Sequence, residues 1–264
     1  MVLRLFKPDR RPQPAHAQVP ADRRIYVIGD IHGRADLLAE LHRRILEDAA
    51  EHRSAGKDEP GHGRATHVAV YLGDYVDRGL ESRQVIDMLL GRPLPGFQTV
   101  HLLGNHEQAM LDFQEDPAIG PAWMQYGGAA TLFSYGINVQ ARLPAGVERL
   151  PHLSAELKRA LPPRHLAFLR SLALMHEEGD YLFVHAGIRP GVPLDRQDRD
   201  DLIQIRDEFL GSDLNHGKIV VHGHTITERP EVRHNRIGID TGAFATGRLT
   251  CLVLEGTSRA LLQT

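Results

Sequence analysis

Ile25-Tyr26-Val27-Ile28-Gly29-Asp30-Ile31-His32-Gly33 is an apolar run of four residues that stops at Gly-Asp-x-His-Gly. A short run rich in β-branched residues that ends at Gly, Asp or Asn reads as a buried strand entering a loop. The pattern recurs. Residues 68–72 precede Gly73-Asp74-Tyr75-Val76-Asp77-Arg78-Gly79, and residues 100–103 precede Gly104-Asn105-His106-Glu107. Tyr181–Val184 precedes His185-Ala186-Gly187, and residues 219–221 precede His222-Gly223-His224-Thr225. Buried strands thus deliver Asp, His or Asn to their carboxyl ends, the edge at which open α/β sheets carry ligand sites. Oxygen and imidazole donors gathered there suit divalent transition metals.

Between these continuous runs the apolar residues take a helical spacing. Residues 35–50 place Leu37, Leu38, Leu41, Ile45 and Leu46 on one helical stripe. Further helices are expected at 82–90, 106–114, 164–172 and 199–210. A hairpin is expected from strands 174–177 and 181–184, with closing strands near 237–239, 249–254 and 260–262. The early strand–helix alternation predicts parallel strands, and the later helix-poor stretch predicts antiparallel ones. Residues 51–66 read as an exposed loop and residues 1–23 as a flexible Pro- and Arg-rich tail. One domain is expected over 24–264. It carries an insertion at about 116–163, rich in Gly and Pro, expected to border the cleft and tune substrate choice through Trp123 and Tyr126.

A chain of 264 residues buries enough core for one large domain. Its net charge of −3 provides no global pull toward nucleic acid or an anionic membrane. Cys251 is the single cysteine, so no intrachain disulfide forms. Its place in the apolar run 249–254 predicts a buried, inert thiol. No apolar stretch reaches the length of a membrane span. The N-terminus lacks the apolar core of a secretory signal, so a cytoplasmic protein is expected.

Asp30 and His32 stand two residues apart, so in extended backbone both face one side. Taken singly, an Asp after a strand serves equally well as a helix N-cap. Asp74 has two oxygens and can bridge two cations, whereas Asp77 and Arg78 read equally as a salt-bridged turn. Asn105 offers a neutral oxygen. His106 begins a helix, where free N–H groups favour an anion such as phosphate. His185 and His224 end two further strands. Six donors at five strand ends exceed what unrelated caps and core histidines explain, and they predict a dinuclear metal site. Asp30, His32 and Asp74 serve one ion; Asp74, Asn105, His185 and His224 serve the other. Two ions roughly 3.5–4 Å apart bridge a water, lower its pKa and clamp phosphate oxygens. His106 is the unliganded histidine best placed to protonate the leaving alkoxide.

In this order, over residues 29–225, the clusters resemble the phosphoprotein phosphatase family within the calcineurin-like metallophosphoesterases. They look most like the compact bacterial and phage serine/threonine phosphatases. The resemblance implies an α/β fold of α+β type, a β-sandwich flanked by helices with metals at one edge. It implies that Asp77 orients His106, that Arg78 binds phosphate, and that Asn105 contacts substrate as well as metal. A second phosphate arginine belongs on a late segment, where Arg206 falls. Mn²⁺ is the implied activating ion, with Fe or Zn²⁺ also suited to these donors. The implied substrate is a phosphorylated protein or peptide carrying phosphoserine or phosphothreonine, and phosphotyrosine as an extension.

Two departures bear on this. Leu103 stands where many relatives have Arg. Ile226 replaces the second histidine of Gly-His-x-His, which argues against the nuclease and cyclic-nucleotide branches; His222 is expected to be structural. The rival enzyme is a symmetrical diadenosine tetraphosphatase. Such relatives tend to lose the acid of the second cluster and read His-Asp in the third, whereas this chain keeps Asp77 and reads His106-Glu107. A non-catalytic phosphoprotein-binding relative would lack a ligand or the acid, and none is lacking.

Overall fold

Strand β1 (Arg23–Ile28) points Ile25 and Val27 to one side and Tyr26 and Ile28 to the other, and all four are fully buried. A strand covered on both faces needs a layer on each. The computed structural model, which describes residues 17–54, 66–139 and 149–264, supplies them. Helix α1 (Ala35–Ser54), β2 (Thr66–Tyr71), α2 (Ser82–Leu90), β3 (Gln98–His101) and α3 (Asn105–Glu115) continue the alternation. Four helices follow: α4 (Gly120–Gln125), α5 (Gly128–Ser134), α6 (Leu150–Ala160) and α7 (Pro163–Arg170). The hairpin β4 (Met175–Glu178) and β5 (Tyr181–Val184) precedes α8 (Arg199–Gln204) and α9 (Asp207–Leu210). Strands β6 (Ile219–His222), β7 (Glu231–Val232) and β8 (Arg236–Gly238) come next. Helix α10 (Ala243–Thr246), β9 (Thr250–Glu255) and β10 (Ser258–Gln263) close the chain.

The strands form two sheets, ordered β10-β9-β1-β2-β3 and β4-β5-β6-β8-β7. Their facing sides bury Ile25, Val27, Val68 and Val70 against Tyr181, Phe183, Val221 and Ile237. The outer side of the first sheet, with Tyr26, Ile28 and Tyr71, packs on Leu38, Leu41 and Ile45 of α1. The outer side of the second, with Leu182, Val184 and Val220, packs on Leu202, Ile203 and Phe209. Each such buried side chain contributes on the order of 1.5–3 kcal/mol of transfer free energy. The expected helix-flanked sandwich is present. Cys251 is buried in it.

Three expectations are corrected. The late strands are not all antiparallel: β5–β6 and β6–β8 pair in parallel, because the segments between them cross over rather than turn back. The expected helix at 199–210 breaks at Ile205 and Arg206, where Arg206 adopts φ −131° and ψ −98°. The break keeps Ile205 and Phe209 buried while Arg206 is exposed. The tail stops short of 23, because Ala17 and Val19 join the core between the sheets and Val19 N–H bonds Gly256 O at 3.0 Å. Residues 1–16, with 55–65 of the expected loop and 140–148 of the insertion, lie outside the described residues. Among the described residues no helix is long and apolar enough to cross a membrane.

Under α1, His42 Nε2 lies 2.9 Å from the Tyr71 hydroxyl, and His101 stacks on the Tyr71 ring at 4.9 Å. Burial lowers both imidazoles to about 4. The unfolded chain therefore binds protons that the fold resists: this contribution is complete above pH 6.5 and is lost as pH falls toward 4. The Tm of metal-free protein is expected to drop over that range, with a shallower slope in His101→Phe. Calorimetry at stepped pH checks this, and equal slopes would contradict it.

Candidate metal centre

Left-handed backbone marks the strand ends. Six non-glycine residues among those described have positive φ, and five of them are His32, Asp74, Asp77, Arg78 and His224. Such conformations cost energy and persist only where surrounding contacts impose them. Glu107, fully buried on α3, imposes the turn after β2. Its Oε2 accepts the N–H groups of Asp74 (2.8 Å) and Gly104 (3.1 Å), and its Oε1 those of Tyr75 (2.7 Å) and Val76 (3.0 Å). Burial and the nearby Asp74 push this carboxyl up to about 8, against the amide donors that favour its charged form. Two glycines admit the carboxylates: a Cβ at Gly104 would lie 2.1 Å from Asp74 Oδ1, and one at Gly223 would lie 2.0 Å from Asp30 Oδ1.

Asp74 stands at the middle of the cluster. His32, Asp74 and His106 form one group whose donor atoms lie within 4.8 Å of one another, and Asp74, His185 and His224 form a second. Asp74 Oδ2 faces His32 Nε2 at 3.5 Å, while Oδ1 faces His185 Nε2 at 3.4 Å. The Nδ1 atoms of His32 and His185 donate to the carbonyls of Val76 and Leu72, each at 2.9 Å. Their Nε2 atoms therefore carry bare lone pairs. His185 Nε2 meets Asn105 Oδ1 at 3.0 Å, lone pair against lone pair. Asp30 Oδ1 and His224 Nε2 are buried without hydrogen-bond partners. Converging lone pairs and unpartnered carboxylate oxygens fit cations and little else.

The electrostatics agree. Burial holds His32 down at about 3 and lowers His185 and His224, which keeps these rings neutral as ligation requires. Burial opposes the Asp74 charge, yet the surrounding imidazoles, first His185 and then His106, hold it below the usual range; among them His106 is the ring whose own protonated form is favoured. Asp30 is raised by burial, then by Asp240 and Asp74. It falls outside both groups of mutually close donors, although its Oδ2 accepts His224 N–H at 2.9 Å.

His106 lies inside the first group, but its Nδ1 is already engaged by Asp77 Oδ2 at 2.7 Å. Asp77 also accepts from Trp123 Nε1 at 2.8 Å and from Thr131 Oγ1 at 2.6 Å. Arg78 places Nη2 3.4 Å from His106 Nε2 and its guanidinium 4.5 Å from the Phe244 ring. Arg206 reaches Thr225 Oγ1 at 3.2 Å, beside His224. His222 joins neither group; its ring packs edge-on against Phe209 at 5.2 Å. Trp123 does not line the cleft: it is 2% exposed and anchors Asp77. Of the two, Tyr126 is exposed, with its ring 6.5 Å from the His106 ring. The sequence reading placed Glu107 in the third cluster but gave it no structural role, and it did not single out Thr131 or Asp240. Asp240 had a visible signal, as an acid after the run 237–239.

Residues 23–245 match the family model described as calcineurin-like phosphoesterase. A bis(5'-nucleosyl)-tetraphosphatase PrpE (asymmetrical) from Halalkalibacterium halodurans is 25% identical over 242 residues, 86% of this chain and 88% of that one. A solved structure provisionally assigned as a diadenosine tetraphosphatase superposes with a TM-score of 0.55 at 21% identity, covering 94% of this chain and 98% of its own. A serine/threonine phosphatase from Saccharomyces cerevisiae similar to human PP5 superposes at 0.50 with 15% identity, over 95% and 84% of the chains. These two superpositions establish a shared fold.

Glu107→Gln would turn an amide NH₂ toward two buried N–H donors. It is expected to destabilise the protein by about 2–6 kcal/mol and to weaken divalent-metal uptake. Urea titration and metal analysis check this. A variant with wild-type stability and metal content would remove Glu107 from its bracing role.

Proposed function

This chain belongs to the calcineurin-like phosphoesterase family of metal-binding hydrolases, and we propose that it hydrolyses phosphoserine and phosphothreonine in proteins, and phosphotyrosine by extension. The observation that carries this reading is the buried His106–Asp77 pair. Asp77 is held by Trp123 and Thr131 and in turn fixes His106 Nδ1, leaving Nε2 at the cleft beside Arg78. Burial opposes a charged imidazole, but Asp74 and Asp77 raise His106 overall, which favours the protonated form that a general acid needs. Serine and threonine alkoxides are poor leaving groups, and a positioned acid helps them most.

Two divalent cations, held by Asp30, His32 and Asp74 on one side and by Asp74, Asn105, His185 and His224 on the other, would supply an activated water and charge neutralisation at the phosphate. Mn²⁺ is the proposed activator, with Fe or Zn²⁺ compatible with the donors. Arg78 lies beside His106 and Arg206 beside Thr225, and both present planar guanidinium groups suited to paired phosphate oxygens. Asn105, half-buried with its Oδ1 3.0 Å from His185 Nε2, is shared between metal and substrate in this reading.

A second reading is dinucleoside tetraphosphate hydrolysis, favoured by the name of the Halalkalibacterium relative. There the leaving group is a nucleotide phosphate, which needs little protonation. Phosphoserine, phosphothreonine and phosphotyrosine peptides assayed beside diadenosine tetraphosphate, all with Mn²⁺, separate the two. Turnover confined to the dinucleotide would replace the first reading with the second.

His106→Asn is expected to lose about 10²–10⁴-fold in kcat with alkyl phosphates and less with p-nitrophenyl phosphate, whose anion leaves unaided. Trp123→Phe, which removes a donor to Asp77, should give a milder version of the same split. Equal losses on both substrates would assign His106 another role. Arg206→Ala should keep its metals while phosphate inhibition weakens, and Arg206→Lys should recover part of kcat/KM. Unchanged kinetics and phosphate inhibition in Arg206→Ala would make it a surface residue.

A further inference from the structure

A carboxylate outside this ligand set stands at a sixth strand end. Strand β8 runs on through Ile239 to Asp240, which is 2% exposed. Ile239 N–H bonds the His222 carbonyl at 3.0 Å, so this end lies beside the end of β6 that delivers His224. Gly29 of the Asp30 turn packs on the other side, so close that a Cβ there would lie 2.9 Å from Ile239 O. Asp240 therefore sits where the two sheets meet at the metal centre.

Its backbone and one oxygen are fixed. The Asp240 carbonyl accepts Thr227 N–H at 3.0 Å, and Oδ1 accepts Gly242 N–H at 2.8 Å. Oδ2 is buried with no partner, and so is Asp30 Oδ1. Asp240 is the neighbouring charge that raises Asp30 most, ahead of Asp74, although neither Asp30 nor Asp240 falls in the two groups of mutually close donors. Arg78, whose guanidinium is turned to Phe244 and His106, is a cationic side chain that acts on both. Facing buried carboxylates with free oxygens are costly unless a proton or a cation joins them.

We propose that Asp240 is a further anionic residue of the metal centre, its carboxylate acting with that of Asp30 to hold the cation on the Asp30 side. This rests on the dinuclear reading above and adds a residue to it. The alternative is a structural carboxyl pair sharing a proton, which has no bearing on metal affinity.

The test is Asp240→Asn in the full chain, stripped with chelator and titrated with Mn²⁺ by calorimetry, with Tm measured with and without the ion. The expected result is a loss of about 10–100-fold in affinity at one of two sites, with a smaller Mn²⁺-induced rise in Tm and a metal-free Tm that is unchanged or raised. Wild-type affinity and stoichiometry would overturn the proposal, and so would a lowered metal-free Tm with unchanged affinity, the mark of a shared proton. Should Asp240→Asn fail to fold, Asp240→Ser removes the same charge and is judged by the same affinity. Two Mn²⁺ bound by the wild type without phosphatase turnover would count against the proposed function while leaving the Asp240 measurement decisive.

Discussion

The Glu107 carboxylate accepting four backbone N–H groups is the contact on which the centre depends. It ties the turn after β2 to the start of α3, so Asp74 and His106 cannot move independently. It also holds Asp74 in left-handed backbone, at φ 51°, a conformation that costs energy by itself. Only from that turn does Asp74 aim one oxygen at His32 and the other at His185. The N–H of His106 returns to Asp74 Oδ1 at 3.2 Å and closes the brace.

Burial then does two jobs at once. It suppresses protonation of His32, His185 and His224, leaving lone pairs that point inward. It also makes uncompensated carboxylates costly, so the cluster is complete only with positive charge supplied from outside. The surrounding layers bear this cost: the packed strands fix the five ends in space, four of them largely buried and β3 partly exposed at the sheet edge.

The helical insertion has a split role. Trp123 and Thr131 turn inward and set the Asp77 carboxylate that orients His106. Tyr126 stays exposed beside His106. The contacts that fix Asp77 and the exposed aromatic beside His106 thus come from neighbouring residues of one segment. Relatives with the same sandwich can carry different substrates, because the strand ends set the phosphate chemistry and the periphery sets what is attached to it.

The sequence alone determined the strands, their carboxyl-end clusters and the donor types, because short continuous apolar runs and turn residues are local signals that need no partner to be read. The ligand candidates and the placement of Arg206 near them followed from those clusters and from the family resemblance. Only the tertiary structure decided which donors share Asp74, because that depends on how strands from two sheets align at one edge. It alone made Trp123 an anchor of Asp77, 46 residues away, and brought Asp30 to His224 across 194 residues. The parallel order of β5, β6 and β8, the break that frees Arg206 and the facing of Asp240 toward Asp30 were illegible for the same reason: hydrogen bonds between distant backbone segments are fixed by packing, and no local period encodes them.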